Sequence, residues 1–468
     1  MESFFYPNSI VIYGVSKNEN KSGNRVLKNI LNFKKEDIYL IHHKIDYIYG
    51  IKCYKNILEL PTKKIDLAII ILPVELVLDA LEECIKFEVK SIIVESGALY
   101  IKGQNDAENL KKIEKIKDIL KEKKKTRIMG PNSIGCYCAN KGKNDLITSL
   151  IYFEKFPGLK QKNLSIISQT GLTLSGILQS QNYIQEFGIS KIAAIGNKFD
   201  VNESDLLDFF EKDPNTDVIA LYLEDIKDGA RFKEQCIRIS KKKPIILLKS
   251  GKTEKGKKAI ISHTASIAGD YKIIEALSKQ IGLIVVDDFY ELITMAKMIL
   301  SQPIPKGNKI AVISISGAGT VLSCDLAERF GLELPPMSDS QKKKMCEIFP
   351  KFAWDDVYNP LDIWSAVEYV GPEEAYKRAG EIILEEKKRF DALIYLVTGI
   401  KETEFNWELL RDLNIIYKIP IYLGFLSGDK KLILKWREIL EEKFNIPTFE
   451  SLITLIRAIS KCLILKNK

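Results

Sequence analysis

Histidine is scarce in this chain: there are three in 468 residues, and two of them, His42 and His43, are adjacent. Chemistry that needs an imidazole elsewhere in the chain rests on His263. Cysteine offers no framework either. The eight cysteines are scattered, and only Cys136 and Cys138 are close; a CxC without a nearby histidine falls short of a zinc site. Reduced thiols in a reducing compartment are the expectation. No apolar run approaches the roughly 18 residues of a membrane span. The N-terminal MESFFYPNSI has neither the charged nor the apolar region of a signal peptide. A cytoplasmic protein is expected, with no membrane, no nucleic acid and no metal of its own. The charge excess is mild, 70 Lys+Arg against 62 Asp+Glu for a net +8, and it spreads along the whole length. Nucleic-acid binding would call for a basic stripe interleaved with aromatics. The basic runs here, Lys123-Lys124-Lys125 and Lys241-Lys242-Lys243, fall at predicted helix ends, where they complement the helix dipole. A GxGxxG with a distal acid is also missing, which counts against a nicotinamide-dependent dehydrogenase.

What is present is βα alternation almost throughout. At about 150 residues per domain the length predicts three domains, and a 46% hydrophobic composition supplies a large core. Short runs rich in Ile, Val and Leu read as strands: Ile10 to Tyr13, Leu67 to Leu72, Ser91 to Val94, Leu164 to Ile167, Val218 to Leu223, Ile245 to Leu248, Ile310 to Ile315, Ala392 to Val397 and Ile419 to Leu423. Continuous apolar runs of this length suit strands covered on both faces, as in parallel sheets. Amphipathic segments such as Leu76 to Phe87 and Asn105 to Lys124 lie between them. The expected class is α/β with doubly wound parallel sheets. Three blocks separate: 1–138, 145–300 and 307–468. A polar link, Ala139 to Asp145, follows the first, and the proline-bearing stretch Gln302 to Gly307 precedes the third.

In open parallel sheets ligands bind at the carboxyl ends of strands, where loops meet helix N-termini. The first strand ends in Tyr13-Gly14-Val15-Ser16, and Lys21-Ser22-Gly23-Asn24 then opens a helix. Glycines and small polar residues there fit a phosphate-binding loop, although a plain tight turn reads the same. Lys44, Pro73-Val74-Glu75, Glu95-Ser96-Gly97 and Gly130-Pro131-Asn132-Ser133 close other strands of the block. Together they suggest a nucleotide-like ligand. In the second block the strand Leu164 to Ile167 runs into Ser168-Gln169-Thr170-Gly171. Its hydroxyls and glycine at a helix start form an anion site, and ordinary N-capping is the bland alternative. Glu224 closes the strand Val218 to Leu223, either as a helix-start acid or as a partner that orients an imidazole.

His263 sits among small residues, Ser262, Thr264, Ala265, Ser266, Ala268 and Gly269, which leave the ring unsheathed and let the backbone move. Just upstream, Gly251-x4-Gly256-Lys257 nearly matches a P-loop. Lys258 stands where the magnesium-binding hydroxyl belongs, so a P-loop is not expected.

Taken in order, the motifs resemble a known family. They are Gly130-Pro131-Asn132, the SQTG at Ser168 to Gly171, GNKFDVNESDLL from Gly196, LYLEDIKDG from Leu221, KPIILLKSGKTEKG from Lys243, SHTASIAGD from Ser262, and Asn359-Pro360-Leu361-Asp362. The chain resembles, nearly end to end, the α subunits of ADP-forming acyl-CoA synthetases of the acetate–CoA ligase type, relatives of succinyl-CoA synthetase. The resemblance implies a Rossmann-like CoA-binding domain followed by two flavodoxin-like domains. It makes His263 the phosphorylated histidine, Glu224 its supporting carboxylate, and Ser168, Thr170 and Gly171 the phosphoryl-binding turn. Gly14, Ser16, Gly23, Lys44, Pro73, Val74, Ser96, Gly97 and Asn132 would line the site for CoA or acyl-CoA. ADP or ATP, with magnesium, would bind an ATP-grasp domain on a separate β subunit in an α2β2 heterotetramer. The chain departs from the family pattern at Ala265, where glycine is common after the SHT triplet, and at Ser133, where cysteine is usual. A non-catalytic CoA-binding regulator of the same fold is the alternative; retention of both His263 and Glu224 favours the enzyme.

Overall fold

The computed structural model describes the chain except residues 34–36, 98–105, 124, 142–144, 152–157, 178–186, 265–270, 387 and 467–468. The side chains of 106, 108–109, 122–123, 175, 177, 261–264 and 279 also lie outside the description. The chain falls into two compact units, Met1–Ile281 and Gly282–Lys468.

The first unit carries two sheets. In the first, β1 (Ile10–Tyr13), β2 (Ile38–Ile41), β3 (Tyr47–Ile48), β4 (Ile51–Tyr54), β5 (Leu67–Ile70), β6 (Ser91–Val94) and β7 (Arg127–Met129) lie in the order β3-β4-β2-β1-β5-β6-β7. All pairs are parallel except the β3–β4 hairpin. The chain thus runs outward from β1 through β2, then returns to build from β5 in the other direction. The sheet reverses between β1 and β5. Helices α1 (Ser22–Phe33), α2 (Val74–Lys86) and α3 (Asp106–Lys123) make the crossovers. On α2 the buried residues Val77, Leu78, Leu81, Cys84 and Ile85 recur at helical spacing and seal one face of the sheet over Val11, Ala68, Ile70, Ile92 and Val94.

In the second sheet the strands of this unit are β8 (Cys136–Cys138), β9 (Leu146–Ile147), β10 (Asn163–Ser168), β11 (Gly188–Ala194), β12 (Val218–Leu223) and β13 (Ile245–Lys249), in the order β13-β12-β10-β11-β8-β9. The central pairs are parallel, whereas β8 joins β11 antiparallel. Cys136–Cys138 therefore belongs to this sheet, and the two cysteines bury their side chains as small hydrophobes. This sheet reverses between β10 and β12. Its helices are α4 (Glu203–Lys212), α5 (Gly229–Ile239), α6 (Glu254–Thr264) and α7 (Tyr271–Ile281). Asn202 and Asp205 form a reciprocal capping box that starts α4.

The second unit opens with β14 (Ile284–Val286) and α8 (Phe289–Ser301). Its own sheet has β15 (Ile310–Ser314), β16 (Leu361–Asp362), β17 (Ala392–Gly399), β18 (Ile421–Gly428) and β19 (Thr448–Phe449) in the order β16-β15-β17-β18-β19, all parallel. Helix α8 is tied to this sheet by Lys297, whose Nζ bonds Glu441 and, at 2.8 Å, the Thr448 carbonyl. Gln302 accepts from Asn414 and the Ile421 amide, so the proline-bearing stretch starts inside this unit. Asn359 is buried, accepting from Val312 N–H and donating to the Ile310 and Pro335 carbonyls; it braces the strand edge. No helix among the described residues is long and apolar enough to cross a membrane.

Candidate active site

Both points of strand-order reversal in the first unit carry sequence-predicted residues, which is where an open α/β sheet leaves a crevice. On the first sheet, β1 ends at Gly14 with φ +84°, and a β-carbon there would lie 2.0 Å from the Ile71 carbonyl oxygen. A β-carbon on Gly23 would lie 2.1 Å from the Gly14 carbonyl oxygen. Two bare glycines thus let the start of α1 close directly onto the β1 and β5 ends. Asn24 Nδ2 donates to the Ser16 carbonyl at 2.8 Å, which fixes the turn between them.

A cavity of about 590 Å³ opens beside these glycines, lined among others by Tyr13, Gly14, His43, Lys44, Lys55 and Pro73. His42 Nδ1 accepts from the amides of Lys44 and Ile45 at 3.0 and 3.1 Å, shaping the loop that presents Lys44. Of the sequence-predicted residues, Gly14, Lys44 and Pro73 line this cavity. Val74 opens α2 behind Pro73. Ser96 donates from Oγ to the Leu72 carbonyl at 2.6 Å, and the Asn132 amide donates to the Ser96 carbonyl at 2.7 Å. Gly97 is exposed with open space around it. The basic lining from His43 and Lys55 was not picked out from the sequence. Its signal lay in the spacing of Lys44 and Lys55, which flank the β3–β4 hairpin.

The loop after β7 connects the two sheets. Asn132 has φ +59°. The amides of Asn197 and Phe199 donate to the Pro131 and Gly130 carbonyls at 2.8 and 2.9 Å. Gly196 has φ +54°, and a β-carbon on it would strike the Pro131 carbonyl oxygen at 2.2 Å. The sequence motifs around Gly130 and Gly196 are therefore two halves of one interlock.

On the second sheet Ser168 is buried. Its Oγ donates to the Thr170 carbonyl at 2.9 Å and shares a 2.6 Å hydrogen bond with Thr173 Oγ1. Gly171 lies against Ile134, where a β-carbon would come within 2.9 Å of Cγ2. The turn leads into a π-helical segment, Thr173–Ile177; residues 178–186 beyond it lie outside the described part of the chain. Glu224 ends β12 and is 7% exposed. Gln169 locks it in place, since its Oε1 accepts from the amides of Glu224 and Asp225 and its Nε2 donates to Asp225 Oδ1 at 2.6 Å. Lys198 Nζ then bridges Asp225 Oδ1 at 2.6 Å and Glu203 Oε2 at 3.0 Å. Lys198 and Glu203 are fully buried. This polar lattice joins the ends of β10, β11 and β12; Gln169, Lys198 and Asp225 fall within three of the quoted motifs, and the sequence assigned them no role and did not show that they meet. Replacing Lys198 with methionine leaves two buried carboxylates without their cation. It is expected to cost about 3–5 kcal/mol, read from urea unfolding.

Lys249, the last residue of β13, is also buried. Its Nζ donates to the Glu224 and Ser250 carbonyls, both at 2.6 Å. Burial pushes its ammonium down to about 8, against a smaller upward pull from Asp225. In the unfolded chain the group keeps its proton to higher pH, so stability rises with pH from about 8 towards the ordinary lysine range. Lys249→Met should remove that rise, and urea midpoints taken from about pH 7 to 10 for both proteins measure it. His263 lies in the last turn of α6. Its side chain, and the whole of 265–270 with Ala265, lie outside the described residues.

The fold is of the α/β class, with one open cavity at the reversal point of the first sheet and the hydroxyl turn and buried Glu224 at that of the second. Residues 8–139 match the model of the CoA binding domain, and residues 161–299 match that of the succinyl-CoA ligase like flavodoxin domain. The chain is 34% identical over 464 residues to acetate–CoA ligase [ADP-forming] II of Archaeoglobus fulgidus, covering 98% of this chain and 66% of that protein. It is 31% identical to the α subunit of acetate–CoA ligase [ADP-forming] II of Pyrococcus furiosus, covering 96% of this chain and 94% of the subunit. The dinucleotide forming acetyl-coenzyme A synthetase 1 of Ca. Korarchaeum cryptofilum, solved with phosphate and ADP, superposes with a TM-score of 0.81 at 28% identity, covering all of this chain and 97% of that one. The chain belongs to the family of ADP-forming acetate–CoA ligases.

Proposed function

We propose that this chain is the α subunit of an ADP-forming acyl-CoA synthetase, catalysing acyl-CoA + ADP + phosphate ⇌ carboxylic acid + CoA + ATP. CoA would occupy the cavity at Gly14, Lys44 and Pro73, with Ser16, Gly23, Val74, Ser96, Gly97 and Asn132 around it. A phosphate oxygen attacks the acyl carbonyl, the carbon–sulfur bond breaks, and acyl phosphate and CoA result. A His263 nitrogen then takes the phosphoryl group and the carboxylate leaves, splitting one hard step into two. Glu224 steadies the other ring nitrogen and supports the developing charge. Amides and hydroxyls at Ser168, Thr170 and Gly171 receive the phosphoryl oxygens. The phosphoryl group passes to ADP, held with magnesium on an ATP-grasp domain of a β subunit in an α2β2 assembly.

The observation that supports this reading most is the single interlocked body of the first unit. It holds a glycine-walled, lysine-bearing crevice on one sheet. The hydroxyl turn and buried carboxylate sit at the reversal point of the next sheet. The test is ATP formation from ADP, phosphate and a panel of acyl-CoAs by the chain reconstituted with a β subunit. ATP with at least one thioester is expected. CoA binding without ATP from any of them would instead favour a regulatory protein.

A further inference from the structure

The sheet that carries the cavity gathers basic side chains along one part of its carboxyl edge. Tyr13 pairs with Ile41 and Ile41 with Tyr54, so β1, β2 and β4 run in register side by side. One step beyond them, Gly14, His42 and Lys55 form the next row, and the His42 amide donates to the Tyr54 carbonyl at 2.9 Å. All three line the cavity, together with His43 and Lys44. Lys55 therefore stands two strand spacings, roughly 10 Å, from Gly14 along the edge.

Among the described residues no ion pair or side-chain hydrogen bond engages Lys44 or Lys55; only their amides are bonded. The Lys55 amide donates to Glu59 Oε2 at 3.1 Å, and Glu59 Oε1 accepts from Asn56 Nδ2, so that carboxylate serves the turn after β4. Across the cavity the two acids of α2 have partners elsewhere. Asp79 pairs with Lys112 at 3.0 Å, and Glu83 accepts from the Tyr13 hydroxyl at 3.4 Å. A lone exposed lysine needs no partner. Two of them converging with His43 on one wall of a ligand cavity raise the local concentration of an anion there.

Position identifies the anion. In doubly wound sheets the turn after the first strand receives a pyrophosphate on a helix start, which the glycine turn at Gly14 and Gly23 fits. The end of the next strand meets the ribose: an acid there bonds a free ribose hydroxyl, and a cation accommodates a ribose phosphate. Here β2 ends in His42-His43-Lys44 where such an acid would stand, and Lys55 adds a second ammonium from β4. We propose that Lys55, with Lys44 and His43, holds the 3′-phosphate on the ribose of CoA and makes this chain select CoA over dephospho-CoA, an inference that rests on the ligase reading above. The two ammonium groups supply charge-assisted donors to the phosphate oxygens, and His43 adds a ring N–H. Dephospho-CoA keeps the pyrophosphate and the pantetheine arm and loses only these contacts.

The experiment is calorimetric titration of the full chain, with its β subunit, by CoA and by dephospho-CoA. The unmodified protein should bind CoA about 10–100-fold more tightly, the range of a hydrogen bond to a charged group. Lys55→Met should weaken CoA about 10-fold and leave dephospho-CoA unchanged, whereas Lys55→Arg should keep most of the preference. Added salt should shrink the preference in the unmodified protein. Equal affinity of the unmodified protein for the two ligands overturns the proposal and leaves the ligase reading standing. So does a Lys55→Met variant that binds CoA as before, or one that weakens both ligands alike, which would put Lys55 on the pyrophosphate instead. Should Lys55→Met fail to fold, the preference of the unmodified protein and its loss in Lys44→Met decide. If the unmodified protein binds neither ligand, the CoA reading itself has failed, and this assignment with it.

Discussion

His263→Ala is expected to abolish phosphoryl transfer to the chain. With labelled ATP, magnesium and a β subunit, the unmodified protein should take up label that is stable in base and lost in acid, as a phosphoramidate is. The alanine variant should take up none. The reason is chemical: a methyl group offers no lone pair to the phosphorus, and the other two histidines line the cavity beside Gly14. CoA binding should survive, since Gly14, Lys44 and Pro73 are untouched. Glu224→Gln should weaken labelling without eliminating it, because the nucleophile remains and only its support is lost. Label persisting in the alanine variant would remove His263 from the mechanism.

The second large effect is expected from Gly14→Val. At φ +84° an L-residue pays about 1–2 kcal/mol for the backbone alone. The new β-carbon would also meet the Ile71 carbonyl oxygen at 2.0 Å, a backbone atom that cannot swing aside. The β1 turn must therefore move, taking with it Gly23 and the start of α1. Calorimetric titration should show CoA affinity reduced at least about 100-fold, a loss of roughly 2.7 kcal/mol, together with a lower melting temperature. Gly229→Ala is the control. It sits at the start of α5 with no positive φ and no atom within 4 Å of the added carbon, so stability should hold or rise slightly and CoA binding should not change.

Much of this was legible from the chain itself. The strands Ile10–Tyr13, Ser91–Val94 and Val218–Leu223 fall where their apolar runs predict, because a strand buried on both faces has no polar position to interrupt it. Gly14 and Gly23 stood out as small residues at a strand-to-helix turn. The polar lattice of Gln169, Lys198, Asp225 and Glu203 did not. Its members come from three strand ends and a helix start up to 56 residues apart, and no motif shows which residues of the other motifs it meets. Cys136–Cys138 was also opaque. Three residues carry no periodicity that tells a closing loop from an antiparallel strand, and only pairing with 191–193 decides it.

The sequence by itself determined the alternation of elements, the glycines that only a tight turn accepts, and the ordered motifs that carry the family. Those are local properties, set by side-chain pattern and backbone freedom along a few consecutive residues. Tertiary structure alone decided which strand ends meet: that β1 and β5, and β10 and β12, flank the points of reversal. It also decided that the loop at 130–132 clasps the loop at 196–199, and that Glu95 is buried with no hydrogen-bond partner among the described residues. Strand order and burial depend on contacts between residues far apart in the chain, and no short window of sequence encodes them.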